Sequence, residues 1–127
     1  MAKILLVDDE NLILYSLSAT LRHDGSEVTA VANGKDALSE IGRLPYNICF
    51  LDVHLPDANG FDLMKIMQQI SPATRIIVMS AVDPDNEQLR YLHKNACHFL
   101  PKPFDLENVR SLVNNLSRAT GAAAHET

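Results

Sequence analysis

The stretch NICFLDVHLPDANG, residues 47–60, decides the fold. Four apolar residues at 48–51 lead directly into a single carboxylate, Asp52, and a loop of turn-forming residues then ends at Gly60. An apolar run of this length that is bounded by turn residues is typical of a strand buried on both faces. Asp52 is therefore predicted to lie at the C-terminal end of a buried strand, where the chain leaves the core.

Strand and helix patterns alternate on both sides of this stretch. Apolar or β-rich runs predict strands at residues 3–7, 27–31, 48–51, 75–80 and 97–100. Amphipathic spacing predicts helices at residues 11–23, 35–43, 61–70 and 84–95, and a last helix that follows an N-cap at Asp105. Five strands in strict alternation with five helices require a parallel sheet that is covered on both faces, so the predicted class is a doubly wound α/β fold.

The amino-acid composition argues against nucleic-acid binding, membrane binding and membrane insertion. The chain has 127 residues, which is the size of one domain, and 46% of them are hydrophobic. Its net charge of −5 provides no electrostatic basis for direct binding to nucleic acid or to an anionic membrane. No apolar run is long enough to span a bilayer, and both cysteines lie inside apolar runs, as buried reduced thiols do. We therefore expect a cytoplasmic protein.

Ionisable and hydroxyl side chains follow four of the five predicted strands. Asp8 and Asp9 follow the first strand, and Asp52, Ser80 and Lys102 come at the ends of the third, fourth and fifth. Because parallel strands end at the same edge of a sheet, where ligands bind at the point of strand-order reversal, we expect these side chains to converge.

Three converging carboxylates need a compensating cation. Two unit charges 4 Å apart repel by about 4 kcal/mol at an effective dielectric constant of 20. Mg²⁺ suits such a site, since it binds hard oxygen ligands and takes one or two carboxylates while it keeps several waters. A carboxylate nucleophile, Mg²⁺, a lysine and a hydroxyl are together the groups that phosphoryl transfer requires.

Four motifs resemble those of the receiver domain of bacterial two-component response regulators. They are ILLVDDE at 4–10, LDVHLPDANG at 51–60, MSA at 79–81 and PKPF at 101–104. The resemblance implies a flavodoxin-like receiver fold with five parallel strands in the order 2-1-3-4-5. It predicts a receiver domain at residues 1–118, whereas the small and polar residues 119–127 are expected to form a flexible tail or the start of a linker.

The resemblance also implies a role for each carboxylate. Asp52 resembles the phospho-acceptor, which takes a phosphoryl group from the phosphohistidine of a sensor histidine kinase or phosphotransfer protein. Asp9 and Asp52 resemble direct Mg²⁺ ligands, together with the backbone carbonyl of His54, and Asp8 resembles a ligand that acts through water.

The remaining implied roles concern the phosphorylated state. Lys102 and Ser80 would bind phosphoryl oxygens, Ser80 and Phe99 would form the conformational switch, and the Lys102–Pro103 peptide bond would be cis. Phosphorylation would then change the surface formed by helix 4, strand 5 and helix 5, for partner binding or for a phospho-dependent homodimer. Such a domain catalyses only its own phosphorylation and dephosphorylation, so we do not expect an enzyme.

Three alternatives remain open at this point. A receiver-like interaction module would have the same fold without phosphorylation. An aspartate-nucleophile phosphatase would have a DxDxT pattern at its nucleophile, with a general acid two residues later, whereas this chain has His54 two residues after Asp52. A flavodoxin-like cofactor binder needs a Ser/Thr/Gly-rich phosphate loop after the first strand, where this chain has the acidic run DDE at 8–10.

Overall fold

Five strands and five helices alternate along the chain in the computed structural model, which describes residues 2–126 and the side chains up to residue 117. The strands are β1 (Lys3–Val7), β2 (Glu27–Val31), β3 (Ile48–Asp52), β4 (Arg75–Ser80) and β5 (His98–Pro101). The helices are α1 (Asn11–His23), α2 (Gly34–Arg43), α3 (Gly60–Ile70), α4 (Asn86–Lys94) and α5 (Leu106–Glu126).

The strands form one parallel sheet in the order β2-β1-β3-β4-β5. This confirms the predicted doubly wound α/β fold and its strand order. The order reverses at β1, which lies between β2 and β3, so the switch point of the sheet is at the C-terminal ends of β1 and β3.

Each face of the sheet buries its own apolar core, because successive residues of a strand point to opposite faces. Leu5 and Val7 of β1 pack on one face with residues of α2, α3 and α4, while Ile4 and Leu6 pack on the other with residues of α1 and α5. Four consecutive residues of β1 are consequently without solvent exposure. This double burial holds the strand ends in fixed positions relative to one another.

The helices differ from their predicted patterns in detail. Leu12 in α1 is 81% exposed and Leu89 in α4 is 46% exposed, although both fit the apolar spacing of their helices. Helix α4 begins at Asn86 rather than at residue 84, because Asp85 caps it in a reciprocal capping box with Gln88. Helical spacing predicted both helices but not which apolar side chains face the sheet.

The backbone of α5 is helical from Leu106 to Glu126. The flexible tail or linker start predicted for residues 119–127 stays a prediction, and Thr127 lies outside the described residues. The domain boundary at residue 118 stays a prediction. Neither α5 nor any other described helix is long and apolar enough to cross a membrane.

Candidate functional site

Three carboxylates meet at the switch point of the sheet. Asp8 follows β1 directly and Asp52 is the last residue of β3. One carboxylate oxygen from each of Asp8, Asp9 and Asp52 lies within 4.8 Å of the others. Asp8 is fully buried and Asp52 is 3% exposed, whereas Asp9 faces solvent. We call these three residues the acidic cluster.

Lys102 closes one side of the acidic cluster. Its Nζ donates to Asp8 Oδ2 at 2.8 Å and lies 3.4 Å from Asp52 Oδ1. It also donates to Glu10 Oε1 at 3.1 Å, a contact that the sequence analysis did not predict. The Lys102–Pro103 peptide bond is cis, and the Lys102 backbone N–H donates to the Ser80 carbonyl at 2.8 Å. The ends of β4 and β5 therefore hold the lysine beside the carboxylates.

The charges of the site do not balance. Burial raises the pKa of Asp52, the neighbouring Asp8 charge raises it further, and Lys102 together with the His54 N–H lowers it only in part. Burial alone would lower the pKa of Lys102, but the hydrogen bond and charge of Asp8, followed by the contacts with Glu10 and Asp52, raise it overall. The lysine therefore stays protonated, and one ammonium faces several carboxylates.

The acidic cluster fits a divalent cation. Its donor atoms are carboxylate oxygens, which Mg²⁺ prefers, and its surplus of negative charge is what such an ion would neutralise. The site is also open on one side, because Asp9 is exposed. Waters of a partly hydrated Mg²⁺ could therefore be accommodated there.

A close backbone approach fixes the position of Asp52 at the end of β3. The Val53 N–H donates to the Met79 carbonyl at 3.0 Å, which extends the pairing of β3 with β4 just past Asp52. The Gly60 N–H in turn donates to the Val53 carbonyl at 2.8 Å. A Cβ atom at Gly60 would lie 2.4 Å from the Asp52 carbonyl oxygen and 2.5 Å from Val53 Cα. Only glycine therefore allows α3 to begin this close to the end of β3.

Side chains of the loop after β3 bind two helix N-termini. Asn59 Oδ1 accepts from the Phe61 N–H at 2.9 Å and caps α3. Asp57 Oδ1 and Oδ2 accept from the N–H groups of Gly34 and Lys35, at 2.7 and 3.0 Å, in the first turn of α2. The sequence analysis did not single out Asp57, because its partners lie more than twenty residues away in the chain.

Replacement of Asp57 should reveal a pH-dependent contribution to stability. Hydrogen bonds from Gly34 and then Lys35 lower the pKa of Asp57, so the folded state favours the charged form. The stabilisation is complete above the unfolded-state pKa, about 4, and is lost as the pH falls through the lower folded-state pKa. Asp57→Asn should be less stable than wild type at neutral pH, since its amide presents N–H to N–H, and this difference should shrink below about pH 4.

Denaturant unfolding of both proteins at a series of pH values measures this difference. Asp83→Asn makes the same charge change in the loop after β4 and serves as the control. A stability loss in Asp57→Asn that is the same at every pH would contradict the assignment of the effect to the Asp57 carboxylate.

Three further residues were predicted to belong to the site, and they lie on β4, on β5 and in the loop after β3. Ser80 is the last residue of β4 and is buried, and its Oγ accepts from the Val82 N–H at 3.0 Å. Phe99 lies on β5, where it is partly buried against the core on the α2, α3 and α4 side. The side chain of His54 is exposed, while its N–H donates to Asp52 Oδ1 at 3.3 Å.

These features define an α/β domain with an acidic, lysine-bearing site at the switch point of its sheet. Residues 4–114 match the family model of the response regulator receiver domain. The chain is 34% identical to the response regulator protein PilR of Pseudomonas aeruginosa over 98% of its own length and 28% of that of PilR. It is 32% identical to the regulatory protein VanRB of Enterococcus faecalis over 98% of the chain and 56% of VanRB.

Solved structures agree with this assignment. The receiver domain of the Francisella response regulator 1452 superposes with a TM-score of 0.85 at 28% identity, over 94% of this chain and 99% of that one. The BeF3-activated DrrB receiver domain superposes with a TM-score of 0.81 at 26% identity, over 93% and 98%. The chain belongs to the receiver domain family of two-component response regulators. The chain spans 28% of the length of PilR and 56% of the length of VanRB.

Proposed function

We propose that this receiver domain accepts a phosphoryl group on Asp52 from the phosphohistidine of a sensor histidine kinase or phosphotransfer protein, in a reaction that depends on Mg²⁺. The observation that supports this most strongly is the position of the Asp52 carboxylate. It lies at a strand end, nearly buried, between two further carboxylates and a lysine ammonium 3.4 Å away.

The transfer requires a nucleophile and neutralisation of charge. An Asp52 carboxylate oxygen attacks the phosphorus as the bond from phosphorus to the donor imidazole nitrogen breaks, and the electron pair of that bond leaves with the imidazole. Asp9, Asp52 and the backbone carbonyl of His54 would hold Mg²⁺, with Asp8 acting through water, and the ion would supply positive charge to the phosphoryl oxygens. Lys102 binds one phosphoryl oxygen and the Ser80 hydroxyl donates to another.

The output is a shift between two conformers. The phosphoryl group can shift the population only if Ser80 and Lys102 bind it more strongly in one conformer than in the other. Movement of Ser80 toward the phosphoryl group would free space near β4, which Phe99, already partly buried, fills by turning inward. The surface of α4, β5 and α5 changes with it and binds a partner protein or a second copy of the chain. The cytoplasmic location predicted from the sequence stays a prediction.

Phosphorylation by a small-molecule donor tests the proposal. The protein is incubated with acetyl phosphate and Mg²⁺, and intact mass is measured with and without a chelator. We expect a gain of one phosphoryl group that requires Mg²⁺ and that hydroxylamine, which cleaves acyl phosphates, removes. A protein that gains no phosphoryl group from acetyl phosphate, or from any of a panel of phosphorylated histidine kinases, would instead be a phosphorylation-independent interaction module.

A further inference from the structure

Glu10 has an unusual set of contacts for a residue at the start of a helix. It occupies the N-cap position of α1, where a side-chain oxygen often accepts from a first-turn N–H, but among the described residues its side chain makes no such bond. Its Oε1 instead accepts from Lys102 Nζ at 3.1 Å, across 92 residues of sequence. The Glu10 backbone N–H donates to Asp8 Oδ1 at 2.9 Å, so Glu10 contacts both members of the Lys102–Asp8 pair.

The ammonium of Lys102 is already engaged by carboxylates in this state, because its Nζ donates to Asp8 and to Glu10. A lysine ammonium carries three N–H donors. Three carboxylates, those of Asp8, Glu10 and Asp52, lie within 3.4 Å of Lys102 Nζ. A phosphoryl oxygen that binds Lys102 therefore competes with these carboxylates for the ammonium.

The three carboxylates differ in how costly it would be for each to lose its contact with Lys102. Asp8 is fully buried, so it would be left as an uncompensated buried charge. Asp52 carries the phosphoryl group itself and stays within reach of the lysine. The side chain of Glu10 is 60% exposed, whereas that of Lys102 is only 11% exposed. Glu10 can therefore rotate into water at small cost, and the dianionic phosphoryl group would also repel it.

We propose that Glu10 is a positioning residue that holds Lys102 in the unphosphorylated domain and competes with the phosphoryl group for its ammonium. This inference rests on the proposed function, because it needs a phosphoryl group at Asp52. Glu10 stabilises the unphosphorylated state more than the phosphorylated one. It therefore slows phosphorylation and weakens the binding of a phosphoryl mimic.

Three variants distinguish the effect of the Glu10–Lys102 ion pair from the effect of overall charge. Glu10→Gln keeps an acceptor but removes the charge, while Glu10→Asp keeps the charge on a side chain that is one methylene shorter and retracts from Lys102. Glu27→Gln, at the start of β2, removes the same charge from a side chain that is 63% exposed and that pairs with Lys3 at 3.9 Å. The affinity for beryllofluoride with Mg²⁺ is measured for each, together with the maximal rate of phosphorylation and the half-saturating concentration of acetyl phosphate.

We expect Glu10→Gln and Glu10→Asp each to bind beryllofluoride about three- to fivefold more tightly, the range for loss of a partly exposed ion pair. Their maximal rate should rise by a similar factor, with the half-saturating concentration unchanged, and Glu27→Gln should match wild type. A rise in Glu10→Gln alone would show an effect of overall charge and would overturn the proposal. So would an unchanged or slower reaction in both Glu10 variants.

A second measurement needs neither metal nor phosphate. The free energies of unfolding of wild type, Glu10→Gln, Lys102→Met and the double variant, measured in metal-free buffer, give the coupling energy between the two side chains. The stability loss from Glu10→Gln should be present with Lys102 and absent with Met at that position, and equal losses in the two backgrounds would overturn the proposal. If wild type neither gains a phosphoryl group nor binds beryllofluoride, the proposed function fails, and this cycle still shows whether the two side chains are paired.

Discussion

Asp52→Asn is expected to abolish phosphorylation by acetyl phosphate and, in metal-free buffer, to make the folded domain more stable than wild type. The amide lacks the carboxylate nucleophile, so no acyl phosphate can form at this position. It also removes one of three carboxylates whose oxygens lie within 4.8 Å of one another. The loss of phosphorylation and the gain in stability both follow from removal of the Asp52 carboxylate, since functional sites often retain groups that lower the stability of the fold.

The sign of the stability effect follows from the pKa of Asp52. Burial, and then the charge of Asp8, raise this pKa above its ordinary value despite the opposing effect of Lys102. The folded state therefore disfavours the charged form, and stability is lost as the pH rises through the unfolded-state pKa toward the folded-state pKa. At neutral pH Asp52→Asn should have the higher melting temperature, and this advantage should disappear in acid, where wild-type Asp52 is protonated.

Intact mass and thermal unfolding across pH measure the two effects. Asp62→Asn, in the first turn of α3, is the matched control. It should accept a phosphoryl group like wild type and should be slightly less stable, because a negative charge near a helix N-terminus is favourable. A phosphoryl group on Asp52→Asn in the same amount as on wild type would place the acceptor elsewhere. A variant less stable than wild type at neutral pH would show that the Lys102 pairing outweighs burial and repulsion.

The residues that could be predicted from sequence are those whose position depends on the sheet alone. Apolar runs fixed the strands, and the parallel arrangement then brought Asp8, Asp52, Ser80 and Lys102 to one edge, as the structure has them. No loop conformation was needed for this inference. The convergence of these side chains is a consequence of topology.

Contacts that depend on loop paths and helix rotation could not be predicted in this way. Glu10, just before α1, contacts Lys102, just after β5, across 92 residues of sequence. Asp57 binds the start of α2 because the loop after β3 folds back over it. Leu12 and Leu89 fit a helical repeat, but the repeat does not determine how far each helix is rotated about its axis against the sheet. Each of these contacts joins segments whose relative position has no local sequence signal.

Gly60→Ala is expected to destabilise the domain by about 3 kcal/mol or more, at the upper end of the range for overpacking. The added Cβ would lie 2.4 Å from the Asp52 carbonyl oxygen and 2.5 Å from Val53 Cα. Both are backbone atoms of β3 and the residue after it, so no side-chain rotation relieves the clash. Either α3 moves away from the sheet or the end of β3 shifts, and the second response displaces the Asp52 carboxylate from Lys102, Asp8 and Asp9.

Gly42→Ala is the matched control, because a Cβ at Gly42, in the last turn of α2, would have no atom within 4 Å other than those of its neighbours in the same helix. Alanine there should stabilise the helix by about 0.5 to 1 kcal/mol. Denaturant unfolding at neutral pH should thus show changes of opposite sign in the two variants. Phosphorylation of whatever Gly60→Ala protein remains folded should be slower by about a hundredfold, the scale of a 1 Å misplacement of a reacting group, while Gly42→Ala should react like wild type. A Gly60→Ala protein with wild-type stability and rate would mean that α3 can retreat from β3 without moving Asp52, and the close approach would then have no part in positioning the acceptor.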